Sequence, residues 1–223
     1  MNTDLKLVRK TRNTTRSASS TEITAHGSPM DPVAPVIKMV SSAVKHPLEH
    51  TWTLWYLESD RSKSWEELQN EITSFDMVED FWSLYTHIKP PSQIRLCSDY
   101  SLFKKGIQPM WEDEANKFGG RWVITTNRRS KLELDKLWLD VILILIGEAF
   151  EHTEEICGAV INMRGKQSKI SVWTCNGQNE SAIVHIGLKL RESLKLPPLQ
   201  MKYQLHKDSM TKQGSTVKSV YSL

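Results

Sequence analysis

The segment AVINMRGKQSKISVWT, residues 159–174, predicts a β-hairpin. Residues 159–163 and 169–174 are rich in β-branched and aromatic side chains, which favour strands. The residues between them are polar and include Gly165, a composition that allows the chain to reverse direction. Because two strands joined by a short turn run antiparallel, this segment predicts an antiparallel sheet.

Three helices are predicted outside the hairpin from the spacing of their apolar residues. One occupies residues 180–194, with Asn179 as its N-cap. A second occupies residues 77–88, with Asp76 as its N-cap and Glu79 completing a capping box. The third and longest occupies residues 131–150. The residues predicted to face the core are Leu134, Leu137, Val141, Ile144 and Leu145 in the longest helix and Phe81, Leu84, Tyr85 and Ile88 in the helix at 77–88.

Several short strands complete the predicted structure, and the chain after residue 206 is predicted to be a polar loop. Because short strands are interspersed with helices, the fold class is α+β, an antiparallel sheet with helices on one face. The strands are expected at residues 51–57, 93–96, 99–103, 121–126 and 201–206, in addition to the hairpin.

Composition limits the possible classes of function. The chain of 223 residues has 39% hydrophobic and 25% charged residues, which is typical of a soluble protein. Its apolar runs are too short to cross a membrane, and its N-terminus lacks a signal peptide's apolar region. The three cysteines are far apart in sequence, which favours a reducing compartment and predicts a cytoplasmic protein. No catalytic or metal-binding motif is present, so we expect no enzyme activity, no cofactor and no metal.

The N-terminal residues 1–44 are predicted to be a disordered tail, and residues 45–223 a folded domain. The tail is rich in Ser, Thr and Asn and has no apolar periodicity. Its first part is basic, which fits either an RNA- or partner-binding arm or a simple solvated arm. A net charge of only +3 indicates that any nucleic-acid partner is held at a local site.

Tryptophan is unusually frequent, with eight residues against five Tyr and five Phe. Trp65 and Trp111 lie in polar stretches without apolar periodicity. They either hold a core edge in place or form two plates on which a base stacks.

Two helices carry more apolar residues than one buried face needs. Leu139 and Leu143 are predicted to point away from the core stripe of the long helix, and Val78 and Trp82 lie beside the stripe of the helix at 77–88. Either other core elements cover these side chains, or they form an exposed groove for a partner helix.

The hairpin tip carries three cations, Arg164, Lys166 and Lys169. Such a cluster fits a phosphate-binding site, and it also fits an ordinary solvated basic turn.

Ten stretches of the chain, taken in order, resemble one protein family. They are HPL at 46–48, Trp52 with Trp55, SKSW at 62–65, VEDFW at 78–82, DYSLF at 99–103, PMWED at 109–113, GGRW at 119–122, LIGE at 145–148, CGAV at 157–160 and the run containing Arg164, Lys169 and Trp173. The family is eukaryotic translation initiation factor 4E, and residues 52–57 and 217–221 resemble its insect members. The resemblance implies a curved antiparallel sheet of about eight strands backed by three long helices.

The resemblance also implies a ligand, the 7-methylguanosine cap of messenger RNA, held in the domain at 45–223. By resemblance, Trp65 and Trp111 stack on the base, Glu112 binds the guanine edge and Trp173 lies near the methyl group. The residues implied for the cap phosphates are Arg121, Arg164, Lys166 and Lys169; for the next nucleotide, Thr211 and Lys212; and for regulatory phosphorylation, Ser215.

Finally, the resemblance implies protein partners, the scaffold factor 4G and the 4E-binding repressor proteins. The function expected is recruitment of the scaffold to capped messenger RNA at the start of translation. The alternative is a repressor paralogue that binds the cap and sequesters messages through other partners. The partner surface implied by the family consists of His46, Pro47, Val78, Trp82, Leu139, Asp140 and Leu143.

Overall fold

The computed structural model describes residues 44–60, 62–126, 131–165, 167–210 and 219–223, with the side chains of Trp65, Glu66, Lys131 and Met210 outside that description. The predicted tail therefore lies almost wholly outside the described residues. Within them there are eight strands: β1 (Pro47–Leu57), β2 (Gln69–Met77), β3 (Asp99–Lys104), β4 (Gly120–Thr125), β5 (Ile156–Asn162), β6 (Lys169–Thr174), β7 (Met201–Leu205) and β8 (Tyr221–Ser222).

The strands form one sheet in the order β2-β1-β3-β5-β6-β4-β7-β8, with every neighbouring pair antiparallel. The predicted hairpin is confirmed, because β5 pairs antiparallel with β6 from Ile156 opposite Thr174 to Asn162 opposite Lys169. The prediction of an α+β fold with a curved antiparallel sheet is also confirmed.

Helices accompany the sheet: α1 (Trp65–Leu68), α2 (Val78–His87), α3 (Lys131–Ile146), α4 (Glu180–Ser193) and α5 (His206–Met210). No helix within the described ranges is long and apolar enough to span a membrane. Asn179 is the N-cap of α4, as predicted, and its side-chain oxygen accepts the Ala182 N–H at 3.2 Å.

The main hydrophobic core lies between one face of the sheet and the helices. Trp122 of β4 is fully buried there and donates its indole N–H to the Ile183 carbonyl of α4 at 2.9 Å. Helix and strand approach closely because residue 187 is glycine: a Cβ on Gly187 would lie 2.3 Å from the Trp122 ring. This contact holds α4 against the centre of the sheet.

Alternation along the strands assigns side chains to the two faces of the sheet. In β3, Tyr100 and Leu102 belong to the main core, whereas Phe103 belongs to a second, smaller cluster. That second cluster also contains Val160 and Trp173, so it marks the face of the sheet that the main core does not use. The candidate functional site is built on this face.

The predicted core stripe of α3 is confirmed at Val141 and Leu145 and is otherwise displaced by about one position. The buried residues are Trp138, Val141, Ile142, Leu145 and Ile146, whereas Leu134, Leu137 and Ile144 are only partly buried. Leu139 and Leu143, predicted on a wet face, are partly buried and pack against the main core. Because α3 is apolar on nearly every side, its periodicity does not define which face is buried.

The predicted cap of α2 is also wrong. The N-cap is Met77, without a side-chain cap bond, and the Val78 N–H is satisfied by the His46 carbonyl at 2.9 Å. Glu79 does not complete a capping box; its carboxylate accepts the backbone N–H of His46 at 2.9 Å. The start of the helix is therefore stabilised by β1 and its lead-in rather than by local sequence.

Two further differences concern strands. Residues 93–96 do not form the predicted strand, because the prolines at 90 and 91 start a 3-10 turn, Pro91–Gln93, in which the Gln93 N–H bonds the Pro90 carbonyl at 2.9 Å. Strands β2 and β8 were not predicted, and β8 lies in the stretch predicted to be a loop. Both occur at an edge of the sheet, where polar side chains weaken the burial pattern.

Candidate nucleotide-binding site

A cavity of about 390 Å³ opens on the face of the sheet opposite the main core. Its floor comes from alternate residues of five strands, which the register brings side by side. Leu57 pairs with Asp99, Asp99 with Asn162, and Arg121 with Trp173. The lining is completed by Ser101 and Val160, by Gln69 at the start of β2, and by the loop residues Pro109, Met110, Trp111 and Glu112.

Trp111 and Glu112 reach the cavity from the loop between β3 and β4. Trp111 is half-buried and packs on the cluster formed by Phe103, Val160 and Trp173, whereas Glu112 is exposed. An aromatic face next to a free carboxylate can bind a flat ring and accept hydrogen bonds from its edge. The structure therefore brings together two of the predicted binding residues.

Two residues of the cavity lining carry buried donors that are unpaired within the described ranges. The indole N–H of Trp173 and the Nε–H of Arg121 are buried and have no hydrogen-bond partner among the described residues. Burial lowers the pKa of the Arg121 guanidinium from its ordinary value, because desolvation disfavours the charged form. Buried donors without partners are costly, so the site is suited to a ligand or water that supplies acceptor oxygens.

His206 of α5 lies behind Trp173, with the two ring centres 4.2 Å apart. The imidazole is fully buried, and neither nitrogen has a partner among the described residues. Burial, assisted by the positive charge of Arg121, lowers the pKa of His206 to about 3. The ring is therefore neutral at physiological pH and supports Trp173 as a packing surface.

Arg164 is oriented by a carboxylate in the floor of the cavity. Its Nη1 lies 2.5 Å from Asp99 Oδ1 and its Nη2 lies 3.1 Å from Asp99 Oδ2. Asn162 donates its side-chain amide to the same Oδ2 at 2.8 Å. Asp99 raises the pKa of Arg164, so the guanidinium stays charged and is held against a floor residue of the cavity. Arg164 itself lines a larger groove next to the cavity.

The other predicted phosphate contacts lie close to Arg164 or outside the described residues. Lys169 is exposed at the start of β6, where it pairs in register with Asn162. Lys166, at the hairpin tip, lies outside the described residues. The same holds for Thr211, Lys212 and Ser215, whose predicted roles stay predictions.

The backbone of Trp65 begins α1, although its side chain lies outside the described residues. Ser64 and Glu67 form a capping box: the Ser64 N–H donates to Glu67 Oε2 at 2.8 Å and the Glu67 N–H donates to Ser64 Oγ at 3.3 Å. The polar stretch that contains Trp65 is thus a capped helical turn. It leads directly into Gln69, which lines the cavity.

A larger groove of about 680 Å³ lies beside the hairpin, between α3 and residues 194–200. Its lining mixes aliphatic side chains, such as Leu134 and Leu196, with charged ones, such as Lys136 and Arg164. No tryptophan with a described side chain lines it, whereas Trp111 and Trp173 both line the smaller cavity. The smaller cavity is therefore the better candidate for binding a nucleotide base.

The predicted partner surface lies on the other side of the molecule, on α2, α3 and the residues leading into β1. His46 is exposed and its Nδ1 lies 2.6 Å from Glu79 Oε1, which places the His46-Pro47 turn beside the start of α2 at Val78. Trp82 is 41% exposed. On α3 the matching residues are Leu139, Asp140 and Leu143, all partly buried. Burial, followed by the carboxylates of Asp135 and Asp140 on α3, raises the pKa of Tyr85 on α2.

Sequence reasoning missed the residues that organise the site. Asp99 and Asn162 line the cavity; Asp99 holds Arg164, and Asn162 donates to Asp99. Asp113 and Asn116 hold the loop that carries Trp111. The available signal was an acidic residue at the start of β3, on the face opposite Tyr100 and Leu102.

We predict that His206→Phe makes folding stability less dependent on pH. Between pH 3 and 6.5 the unfolded imidazole binds a proton that the native one does not, since its native pKa is about 3 against an ordinary 6.5. Stability therefore rises with pH in this window, by up to about 1.4 kcal/mol per pH unit. Phenylalanine keeps the packing on Trp173 and removes this dependence. Urea unfolding of both proteins from pH 4.5 to 7.5 measures it; parallel pH profiles would contradict the assignment.

Comparison with known proteins agrees with this geometry. Residues 47–221 match the family model described as eukaryotic initiation factor 4E. Eukaryotic translation initiation factor 4E1 of Drosophila melanogaster is 70% identical over 180 residues, covering 80% of this chain and 70% of that protein. Eukaryotic translation initiation factor 4E of Homo sapiens is 49% identical over 179 residues, covering 79% and 82%.

Solved structures are similar as well. Ascaris suum eIF4E-3, solved with an m7G cap, has a TM-score of 0.74 and 44% identity and covers 80% of this chain and 97% of its own. Schistosome eIF4E, solved with m7GpppG and 4E-BP, has a TM-score of 0.75 and 33% identity and covers 80% and 99%. This chain belongs to the eukaryotic initiation factor 4E family.

Proposed function

We propose that the chain binds the 7-methylguanosine cap of messenger RNA in the cavity beneath Trp111. The main support is the placement of Trp111 and Glu112 at a cavity whose floor includes Arg121 and Trp173. The cap complexes of Ascaris and schistosome relatives support the same ligand class.

The base is recognised by stacking and by its charge. Methylation at N7 makes guanine cationic, so the indole faces of Trp111 and Trp65 gain a cation–π term of about 0.5–2 kcal/mol. Ordinary stacking contributes about 1–3 kcal/mol per base. The Glu112 carboxylate accepts hydrogen bonds from the guanine N1–H and amino group and offsets the positive charge. Unmethylated guanine loses the charge term at both places, which is the origin of selectivity.

The phosphates extend from the base toward the hairpin edge. Arg164, held by Asp99, presents a fixed guanidinium, and Lys169 adds a second positive charge one strand away. Arg121 donates through its unpaired Nε–H, directly or through water. Lys166, Thr211 and Lys212 complete the proposed contacts with the phosphates and the next nucleotide.

We predict that m7GTP quenches the tryptophan fluorescence and binds at least about tenfold more tightly than GTP. Glu112→Gln keeps the shape of the side chain and removes its charge, so m7GTP affinity falls by about tenfold to a hundredfold. Fluorescence titration measures both constants.

Glu114→Gln is the matched control, because Glu114 is two residues away, 87% exposed and paired with Lys117. Its affinity for m7GTP should equal that of the wild type. Equal binding of m7GTP and GTP by the wild type would overturn the proposed function.

We further propose that the surface formed by His46, Pro47, Val78, Trp82, Leu139, Asp140 and Leu143 binds a helix of the scaffold factor 4G or of repressor proteins. The exposure of Trp82, 41%, supports a docking role, because tryptophan is enriched among the residues that anchor protein interfaces. The relatives solved with 4E-BP and with the 4E-binding protein Mextli support the partner class. The function proposed is therefore cytoplasmic recruitment of the scaffold to capped messages.

We predict that, on cap resin, the wild type retains a scaffold 4G fragment and Trp82→Ala does not, while both chains stay on the resin. Removing the indole deletes an anchor worth about 2 kcal/mol or more at such interfaces. Leu188→Ala is the control, since Leu188 is 39% exposed on α4. Loss of Trp82→Ala from the cap resin would show that Trp82 supports the fold. A wild type that binds the cap without the scaffold would favour the alternative of a repressor paralogue.

A further inference from the structure

The loop that carries Trp111 and Glu112 is closed on itself by the side chain of Asp113. One carboxylate oxygen accepts the backbone N–H of Gln108, and the other accepts that of Ala115, both at 2.9 Å. The two donors lie on either side of Trp111 and Glu112 in the chain. The Asp113 side chain therefore fixes both ends of the segment that carries Trp111 and Glu112.

Asn116 adds a second bridge from inside the loop. Its side chain is fully buried, and Nδ2 donates to the Gln108 carbonyl at 2.8 Å and to the Met110 carbonyl at 2.9 Å. The Met110 carbonyl belongs to the peptide group that ends at the Trp111 nitrogen. Because a peptide group is planar, fixing this oxygen fixes the direction in which the chain enters Trp111.

The chemistry of Asn116 points to a role beyond filling space. Its Oδ1 is buried and has no hydrogen-bond partner among the described residues. A buried acceptor without a donor destabilises a fold, so packing alone would favour an apolar side chain here. The two facing carbonyl oxygens determine the orientation of the amide, because both need donors. The position therefore requires two N–H groups directed at the segment before Trp111.

We propose that Asn116, together with Asp113, is a positioning residue that holds Trp111 and Glu112 in their binding geometry before the ligand arrives. The proposal rests on the proposed cap-binding function and deepens it. Asn116 touches neither the base nor the phosphates, and it acts through the loop backbone. A loop already ordered loses less conformational freedom on binding, so its ligand binds more tightly.

The loop is also tied to the sheet, which makes the positioning effective. The Cys157 thiol of β5 donates to the Ala115 carbonyl at 3.6 Å, and the Gly119 N–H bonds the Asn116 carbonyl at 2.9 Å just before β4. A Cβ on Gly119 would lie 1.8 Å from the Thr174 carbonyl oxygen, so the loop ends in close contact with β6. The loop that carries Trp111 and Glu112 is thus anchored to strands that form the cavity floor.

The test measures cap binding by Asn116→Ala and Asp113→Asn, using m7GTP and GTP as probes. Asn116→Ala leaves both carbonyls without their donor and should weaken m7GTP binding by about tenfold. Asp113→Asn has the same shape and keeps one acceptor oxygen, so about threefold weaker binding is expected from it. Both should lower the ratio of m7GTP to GTP affinity, because the aromatic plate and the carboxylate no longer hold their relative positions.

Asn179→Ala is the matched control. Asn179 is the N-cap of α4 and also donates to Glu155. Its loss therefore lowers stability without removing a hydrogen bond within the loop that carries Trp111. Its thermal midpoint should fall while m7GTP affinity and the selectivity ratio stay at wild-type values. This separates positioning from general destabilisation.

The outcomes distinguish the proposals. Weaker and less selective binding by folded Asn116→Ala, or by Asp113→Asn if the alanine variant does not fold, supports the positioning role. Wild-type affinity and selectivity in a folded variant would overturn it and leave the cap-binding function intact. Absence of discrimination between m7GTP and GTP in the wild type itself would reject the cap-binding function on which the proposal rests.

Discussion

Successive side chains of a strand project to opposite faces of a sheet, and the rest of this structure depends on that constraint. One set of residues, such as Leu102 and Trp122, makes the core with the helices, and the alternate set, such as Asp99 and Arg121, makes the cavity floor. Stability and binding therefore use the same strands without competing for side chains. A shift of register by one residue would move the cavity residues into the core and abolish both.

The cavity combines groups that are already paired with groups that are not. Asp99 neutralises and orients Arg164, so that cation is fixed before a ligand arrives. Trp173 and Arg121 instead keep buried donors unpaired among the described residues, a cost that the large core behind them offsets. The fixed cation of Arg164 and the unpaired donors favour a ligand that brings phosphate oxygens. Trp111 and Glu112 instead favour a cationic ring. Together these features select a charged nucleotide over a neutral aromatic molecule.

The fold could be predicted where local chemistry and burial agree. The hairpin of β5 and β6 and the Asn179 cap were found because turn, strand and cap residues act locally. The whole buried face of α3 could not be predicted, since its sequence is apolar on nearly every side. Strand β2 was missed because an edge strand with polar side chains has little periodicity. In the site, the polar surroundings of Trp65 and Trp111 left two alternatives open, a pair of stacking plates or support for a core edge, and only the family resemblance favoured the plates. The support from Asp99 and Asn116 depends on tertiary contacts that no local pattern encodes.

The central claim is that a methylated purine lies flat against Trp111 with a second indole on its other face. Intermolecular NOEs between the N7-methyl protons of bound m7GTP and assigned indole protons test it most directly. The account predicts contacts from the bound base to both Trp111 and Trp65, and from the methyl group to Trp173. Binding without NOEs to Trp111, or with NOEs only to residues of the larger groove beside α3, would contradict the account.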